Sequence, residues 1–224
     1  MKTGSMDLME VKLHLGPRVL FPSLTLTIKP GEVVTIMGEN GCGKSSLLAW
    51  ICGTLPDAFT ASGTVSLNGE NISQMPAESR RIGILFQDDL LFPHMTVGQN
   101  LAFALTPEIR SREARRRRVE EALSGSGLAG FYDRDPSTLS GGQKARAAVM
   151  RVLLSEPRAL LLDEPFSKLD ETTRRRFQDF VLEHVRDRGL PTLMVTHDPK
   201  DATAAGGPII RLQSLAGEKN QHSA

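Results

Sequence analysis

The sequence predicts an α/β fold built on a parallel β-sheet. Three short apolar segments, 32–37, 158–162 and 191–196, each run directly into residues that can carry chemistry. Continuous apolar strands of this kind are typical of a parallel sheet buried on both faces. Segments with helical character, 44–52 and 172–188, alternate with them. Because such sheets bind ligands beyond the carboxyl ends of their strands, we expect the three strand ends to meet at one site.

Two regions depart from this alternation. Residues 7–30 and 63–73 contain short alternating strands and turn signals, which predicts an antiparallel addition. Residues from about 107 to 155 are predicted to be helical. We therefore expect the whole chain to be one domain, whose core is formed by about 7–87 and 158–212 and whose inserted helical subdomain covers about 88–157.

Composition and charge exclude several classes of protein. The chain has 224 residues, of which 40% are hydrophobic and 24% charged, which is enough for a large core and argues against disorder. The net charge of +1 provides no basic field for nucleic acid, so no nucleic-acid partner is expected. We find neither the run of about 20 apolar residues that a membrane-spanning helix needs nor a signal peptide. The two cysteines cannot form a disulfide framework, and an intracellular soluble protein is expected.

A glycine-rich loop follows the first apolar segment. Residues 38–45 fit the pattern G-x-x-x-x-G-K-[ST], in which glycines let backbone N–H groups point at phosphate oxygens. Lys44 would reach the β- and γ-phosphates and Ser45 would bind Mg²⁺. The alternative is a glycine-rich turn without a ligand, which the preceding strand and following helix make less plausible. The predicted nucleotide-binding residues here are Gly38, Glu39, Asn40, Gly41, Cys42, Gly43, Lys44, Ser45 and Ser46.

The other two strand ends carry acidic and imidazole side chains. Asp163 can hold Mg²⁺, usually through water, and Glu164 can act as general base on an attacking water. His197 could hydrogen-bond the γ-phosphate or that water. Taken singly, these would be solvated acids at a strand end and a satisfied polar histidine. The phosphate loop favours the functional interpretation.

Residues 139–143, Leu-Ser-Gly-Gly-Gln, form a predicted helix start with two interpretations. Ser140 and Gln143 have the spacing of a capping box, as in an ordinary helix N-terminus. Gly141 and Gly142 argue against that interpretation alone, since each costs up to about 1 kcal/mol of helix propensity relative to alanine. Bare backbone at a helix N-terminus suits close approach of a phosphate, which predicts a second anion site.

Together these motifs resemble those of the nucleotide-binding subunits of ATP-binding cassette (ABC) transporters, over roughly residues 7–212. The matching motifs, in family order, are Walker A at 38–45, the Q-loop residue Gln87, the signature at 139–143, Walker B at 160–163 with Glu164, the D-loop at 167–170 and the H-loop residue His197. This combination is very specific. The resemblance implies a RecA-like P-loop ATPase core with an N-terminal antiparallel β-subdomain and an inserted α-helical subdomain.

The resemblance also implies a dimer that forms on nucleotide binding. Two copies would pack head to tail, with ATP between Walker A of one and the signature of the other. The residues implied to act in trans are Ser140, Gly141, Gly142, Gln143 and Asp170. ATP binding would close the dimer and hydrolysis would release it.

Catalytic and metal roles follow from the same resemblance. The resemblance implies that Lys44, which would contact the phosphates, is a catalytic residue. It also implies that Glu164 activates water and that His197 holds this water against the γ-phosphate. Gln87 would sense Mg²⁺ and link it to the helical subdomain. The implied Mg²⁺ set is Ser45, Gln87 and Asp163, and the implied cofactors are ATP and Mg²⁺.

Residues 86–97 resemble those of small-solute importers, and in particular the short Ynj-type cassettes of thiamine-like import. This implies that the chain binds two integral-membrane permease subunits and is linked only indirectly to a periplasmic solute-binding protein. It also implies a peripheral position on the cytoplasmic face of the inner (plasma) membrane. We interpret 90–95 as a groove for a permease helix, the alternative being a buried loop. Rival functions are a soluble ABC ATPase acting on DNA or ribosomes, an exporter or lipoprotein-release cassette, and a small-molecule kinase.

Three features depart from the family pattern. The position where the family usually stacks an aromatic side chain on adenine holds Leu15, next to His14, so apolar contact or imidazole stacking would hold the base. The second D-loop residue, commonly small, is Lys168. The C-terminal regulatory domain of many importer cassettes is not expected.

The run 112–118 contains five arginines and has two interpretations. It could be a nucleic-acid patch, but interleaved glutamates favour the solvated face of an amphipathic helix.

Overall fold

A computed structural model describes residues 4–88 and 91–212. The strands are β1 (Met6–Leu15), β2 (Arg18–Val19), β3 (Leu24–Ile28), β4 (Val33–Met37), β5 (Phe59–Leu67), β6 (Glu70–Asn71), β7 (Ile82–Leu85), β8 (Ala159–Asp163), β9 (Thr192–Thr196) and β10 (Ile209–Arg211). The helices are α1 (Lys44–Cys52), α2 (Ala77–Arg80), α3 (Val97–Phe103), α4 (Arg112–Gly125), α5 (Gly141–Leu154), α6 (Glu171–Arg188) and α7 (Pro199–Ala205), with a 3-10 turn at Pro136–Thr138.

A parallel sheet of five strands, in the order β10-β4-β9-β8-β7, forms the centre of the molecule. The three strands predicted from apolar runs are β4, β8 and β9, and nearly all of their residues are buried. Met37 pairs with Thr196, and Asp163 pairs with Val195. The carboxyl ends of these strands therefore lie side by side, as the sequence predicted.

The N-terminal strands form a separate antiparallel sheet, which confirms the second expectation. β1 is its long central strand and pairs with β5 on one edge and with β2 and β3 on the other. A bulge at Glu10, whose φ is +52°, interrupts the pairing with β5. Gly63 is needed opposite it, since a Cβ there would lie 2.6 Å from the Met9 carbonyl oxygen.

Two hydrophobic clusters lie on opposite faces of the parallel sheet. Leu161 and Val195 belong to the cluster shared with α1 and the antiparallel sheet. Leu162 and Met194 belong to the cluster shared with α3, α4, α5 and α6. Adjacent residues of one strand thus face different layers, which is why these strands are apolar on both faces.

The segment between β7 and β8 confirms a helical insertion. Its described residues, 86–88 and 91–158, contain α3, α4, the 3-10 turn and α5 and no strand. The exact limits of the subdomain, about 88–157, stay a prediction. Within the described chain, no helix combines the length and the apolarity that crossing a membrane requires.

The arginine run lies on α4 and has structural roles. Arg115 is half-buried and donates to the carbonyls of Ala102 and Ile109, at 2.6 and 3.0 Å. Arg116 pairs with the exposed Glu120 at 2.8 Å. The solvated-face interpretation is therefore favoured, except that Arg115 anchors the chain after α3 and is not simply solvated.

The C-terminal end of α1 is held by a buried arginine. Arg80 donates to the carbonyls of Trp50 and Ile51 at 2.7 and 2.8 Å, and to those of Ser73 and Met75 at 2.7 and 2.8 Å. Its guanidinium joins the helix that follows the glycine-rich loop to the segment between β6 and β7. Burial lowers the pKa of the Arg80 guanidinium, an effect that the nearby Cys52 opposes.

We predict that Arg80→Met lowers the free energy of unfolding by about 2–4 kcal/mol, because several buried carbonyls lose their donor together. Urea denaturation followed by circular dichroism measures this loss. Arg117→Met, at an exposed position on α4, is the control and should change stability by less than about 0.5 kcal/mol. Equal stability of the two variants would contradict the anchoring role.

Candidate functional site

The glycine-rich loop connects β4 to α1 in the predicted way. Gly41 and Gly43 have φ values of +80° and +97°, in the left-handed region that glycine adopts without strain. Gly43 is the N-cap of α1 and leaves the helix without a side-chain cap. The first N–H groups of α1 are thus available to an anionic ligand.

Lys44 folds back over this loop. Its ammonium donates to the carbonyls of Gly38 and Glu39, at 2.7 and 3.0 Å, and the residue is only 6% exposed. A fixed positive charge is thereby held against the open helix end, as phosphate binding requires.

The Cys42 side chain is buried and does not line the described cavity. A Cβ added to Gly38 would lie 2.7 Å from the Cys42 sulfur. The thiol therefore packs beneath the loop, and a side chain on Gly38 would displace it.

Ser45 and Asp163 meet at the sheet edge. The Ser45 hydroxyl donates to Asp163 Oδ1 at 3.4 Å. Desolvation by burial raises the pKa of Asp163, an effect opposed by the Ser45 hydrogen bond and reinforced by Glu164. A hydroxyl and a carboxylate oxygen are hard ligands that fit Mg²⁺, which usually completes its shell with water and phosphate oxygens. Among the described residues, no cluster of three acidic, histidine or cysteine side chains offers a metal cage.

Glu164 and His197 form a pair that the sequence did not predict as a direct contact. His197 Nδ1 lies 3.0 Å from Glu164 Oε1. Glu164 has φ +46°, a left-handed conformation rare for a residue with a side chain, and its N–H donates to the Val195 carbonyl at 3.0 Å. Strained residues of this kind cluster at functional sites, where the surrounding structure holds them.

A cavity of about 380 Å³ is lined by Lys44, Ser45 and Glu164, while Asp163 and His197 are next to it through their contacts with Ser45 and Glu164. Its predicted lining residues are Leu15, Asn40, Gly41, Gly43, Lys44, Ser45, Ser46 and Glu164. Three further lining residues were missed by the sequence analysis, namely Arg18, Leu20 and Phe59. Local motifs give no signal for them, because Arg18 and Phe59 reach the cavity by pairing with Leu15, and Leu20 lies just after β2.

The segment 139–143 shows both features that the sequence suggested. Ser140 is the N-cap of α5, and its N–H donates to Gln143 Oε1 at 2.9 Å while the Gln143 N–H donates to Ser140 Oγ at 3.4 Å. Gly141 is exposed, and a Cβ there would meet nothing within 4 Å. Gly142 also serves packing, since a Cβ there would lie 2.6 Å from Thr173 Cγ2. None of these residues lines the described cavity, so their role in trans stays a prediction.

The remaining predicted residues lie on connecting segments. Gln87 is exposed just beyond β7, and its catalytic and metal roles stay predictions. Asp170 is the N-cap of α6 and accepts from the Thr173 N–H at 3.0 Å, hydrogen bonds that lower its pKa. Lys168, the departure in the D-loop, pairs with Asp88, directly after Gln87. In the proposed groove, Leu90 lies outside the described residues.

Comparisons with known proteins all indicate the same family. The profile of the family described as ABC transporter matches residues 21–167. The chain is 47% identical over 194 residues to the uncharacterized ABC transporter ATP-binding protein YnjD of Escherichia coli K12, covering 87% of this chain and 89% of that protein. It is 38% identical over 209 residues to the Fe(3+) ions import ATP-binding protein FbpC of Rhizobium etli, covering 93% of this chain. The chain spans 58% of the length of that iron import protein.

We predict that Glu164→Gln lowers kcat for ATP hydrolysis by about 100-fold or more, the usual contribution of a general base. ATP affinity should change by less than about threefold, because the phosphate loop is untouched. Phosphate release and equilibrium binding measure the two quantities. Glu183→Gln, an exposed position on α6, is the matched control. A variant at residue 164 that hydrolyses ATP at the normal rate would exclude Glu164 as the base.

Proposed function

Because this chain belongs to the ABC transporter family of ATP-binding proteins, we propose that it is the ATP-hydrolysing subunit that powers solute uptake by an importer. The observation that carries this proposal is that Lys44, Ser45 and Glu164 line one cavity, and that Ser45 also donates to Asp163. The groups proposed to bind phosphate, to bind the metal ion and to act as general base thus lie close enough together to act on one substrate.

We infer that residues of this chain divide the reaction as follows. The open N-terminus of α1 and Lys44 bind and orient the phosphates of ATP. Ser45 and Asp163 hold Mg²⁺, which when bound neutralises phosphate charge. Glu164 accepts the proton of the attacking water, and His197, 3.0 Å from its carboxylate, orients that carboxylate and the water.

The proposal includes a second copy of the chain. The capping box of α5 uses the N–H groups of Ser140 and Gln143, which leaves those of Gly141 and Gly142 for an anion. Since none of its residues lines the cavity of its own chain, we assign the segment to the nucleotide bound by another copy. Two open helix N-termini, α1 from one copy and α5 from the other, would then enclose one triphosphate.

The membrane partners are the third element of the proposal. Phe103 is 66% exposed on α3, and its ring lies 5.2 Å from that of Phe92 in the segment after the Q-loop. His94 lies 6.0 Å from Phe92 on the same segment. We assign this apolar surface to contact with one of two integral-membrane permease subunits, at the cytoplasmic face of the inner membrane. A periplasmic solute-binding protein would act only through the permease, and these partners would select the solute.

The importer assignment is supported by the named relatives. Relatives that are 38% and 39% identical to this chain are named as iron import ATP-binding proteins, and this supports the proposal of an uptake system. No described feature favours DNA, ribosomes or export.

We predict that Gly141→Asp prevents ATP-dependent dimerisation in a Glu164→Gln background. The isolated chain has room for this side chain, so the expected loss comes from charge repulsion with nucleotide bound to a second copy. Light scattering after size-exclusion chromatography with Mg²⁺ and ATP measures the dimer. Gly125→Asp, also at an open helical position, should dimerise like its parent. Dimers of equal stability in both variants would refute the role of the signature in trans.

We predict that Phe103→Glu abolishes co-purification of a permease from detergent-solubilised membranes while ATPase activity of the isolated chain stays within about twofold. The charge disrupts an exposed apolar surface without entering the core. Met9→Glu, 57% exposed on β1, is the control for adding a charge at an exposed apolar position. If the unsubstituted chain captures no integral membrane protein, the transport function fails.

A further inference from the structure

Three strands of the antiparallel sheet present one row of side chains at the cavity. Leu15 on β1 pairs directly with Arg18 on β2 and with Phe59 at the start of β5. Directly paired residues of neighbouring strands share one face of a sheet. All three residues line the same cavity as the glycine-rich loop. The row is therefore a wall of the nucleotide cavity, formed by residues remote from the phosphate loop in sequence.

His14 does not belong to this wall. It pairs with Val19 and Thr60, the positions adjacent to those of the row. Successive side chains of a strand point to opposite faces, so His14 faces away from the side of the sheet that lines the cavity. Imidazole stacking on the base, one of the two options left by the sequence, is therefore disfavoured. Leu15 remains as an apolar contact, but it offers no aromatic surface.

Phe59 supplies the missing surface. Its ring is partly buried and packs against the cluster shared by α1 and the antiparallel sheet. A ring held by packing loses little conformational freedom when a ligand stacks on it. Phe59 is the one aromatic residue among those lining the described cavity.

We propose that Phe59 is the residue on which the adenine ring of ATP stacks, with Leu15 beside it, in place of an aromatic side chain on β1. This inference rests on the proposed function, since it needs ATP as the ligand. The phosphates lie on the loop and α1, and the base extends toward the row on β2, β1 and β5. In this arrangement the adenine is recognised by Phe59, which follows the glycine-rich loop in the sequence and is brought to the cavity by the pairing of β5 with β1.

The test compares ATP with inorganic tripolyphosphate, which has the phosphates but no base. Affinities are measured by calorimetry in a Glu164→Gln background, with Mg²⁺ present. Phe59→Leu, which keeps the apolar bulk, is expected to weaken ATP binding by about tenfold, at the low end of what loss of base–aromatic stacking costs. Tripolyphosphate affinity is expected to stay within about twofold. Phe59→Trp should retain ATP affinity.

Phe103→Ala, which removes an exposed aromatic residue of α3, is the matched control and should bind both ligands normally. Thermal unfolding without ligand shows whether each variant is folded, and Phe59→Tyr is a second aromatic variant should the tryptophan destabilise the sheet. Unchanged ATP affinity of Phe59→Leu, or an equal loss for ATP and tripolyphosphate, would overturn the inference and leave the proposed function intact. If the parent protein binds neither ligand, the proposed function itself fails, and the inference with it.

Discussion

The parallel register of β4, β9 and β8 is the constraint on which the site depends. Met37, Thr196 and Asp163 end these strands at a common edge, because Met37 pairs with Thr196 and Asp163 with Val195. The glycine-rich loop, His197 and Glu164 follow them within one or two residues. A shift of one residue in either pairing would move every side chain of a strand to the opposite face of the sheet. It would also separate Glu164, the proposed general base, from the phosphate loop. The apolar character of both sheet faces prevents such a shift, since each face is covered by its own hydrophobic cluster.

A polar network behind the site fixes the segment that carries His197. Asp198, the next residue, accepts from Arg174 of α6 at 2.5 Å, and its N–H donates to Thr196 Oγ1 at 3.1 Å. Asp201 is buried beside Arg174 and accepts from Gln178 at 2.7 Å. Because α6 begins at the N-cap Asp170, these bonds connect the D-loop to the histidine. A movement of the D-loop on dimer formation would thus be transmitted to the Glu164–His197 pair through a packed helix rather than through a mobile loop.

The sequence predicted those parts of the site that depend on local pattern. A glycine-rich loop between an apolar run and a segment of helical character predicts a strand at 32–37 and a helix at 44–52. The structure has β4 at Val33–Met37 and α1 at Lys44–Cys52. Contacts that depend on pairing between distant segments were not predictable in this way. Phe59 lies opposite Leu15 only because β5 pairs with β1, although the two residues are 44 positions apart in the sequence. No spacing rule predicts this contact. Gly142 is a second example, because the Thr173 side chain leaves no room for a Cβ there, and the motif alone does not predict this contact.

The helix N-termini support the proposal that two copies of the chain complete each site together. α3, α4, α6 and α7 have side chains that cap their first turns, as an isolated helix requires. α1 has no such cap, and its open end lies in the cavity with Lys44. α5 is an intermediate case, since its capping box satisfies two N–H groups while the two glycines keep the first turn accessible. An open helix end is costly unless an anion or water satisfies it. In the proposed dimer, a triphosphate on α1 of one copy would also reach α5 of the other, and this would link nucleotide binding to association of the two chains.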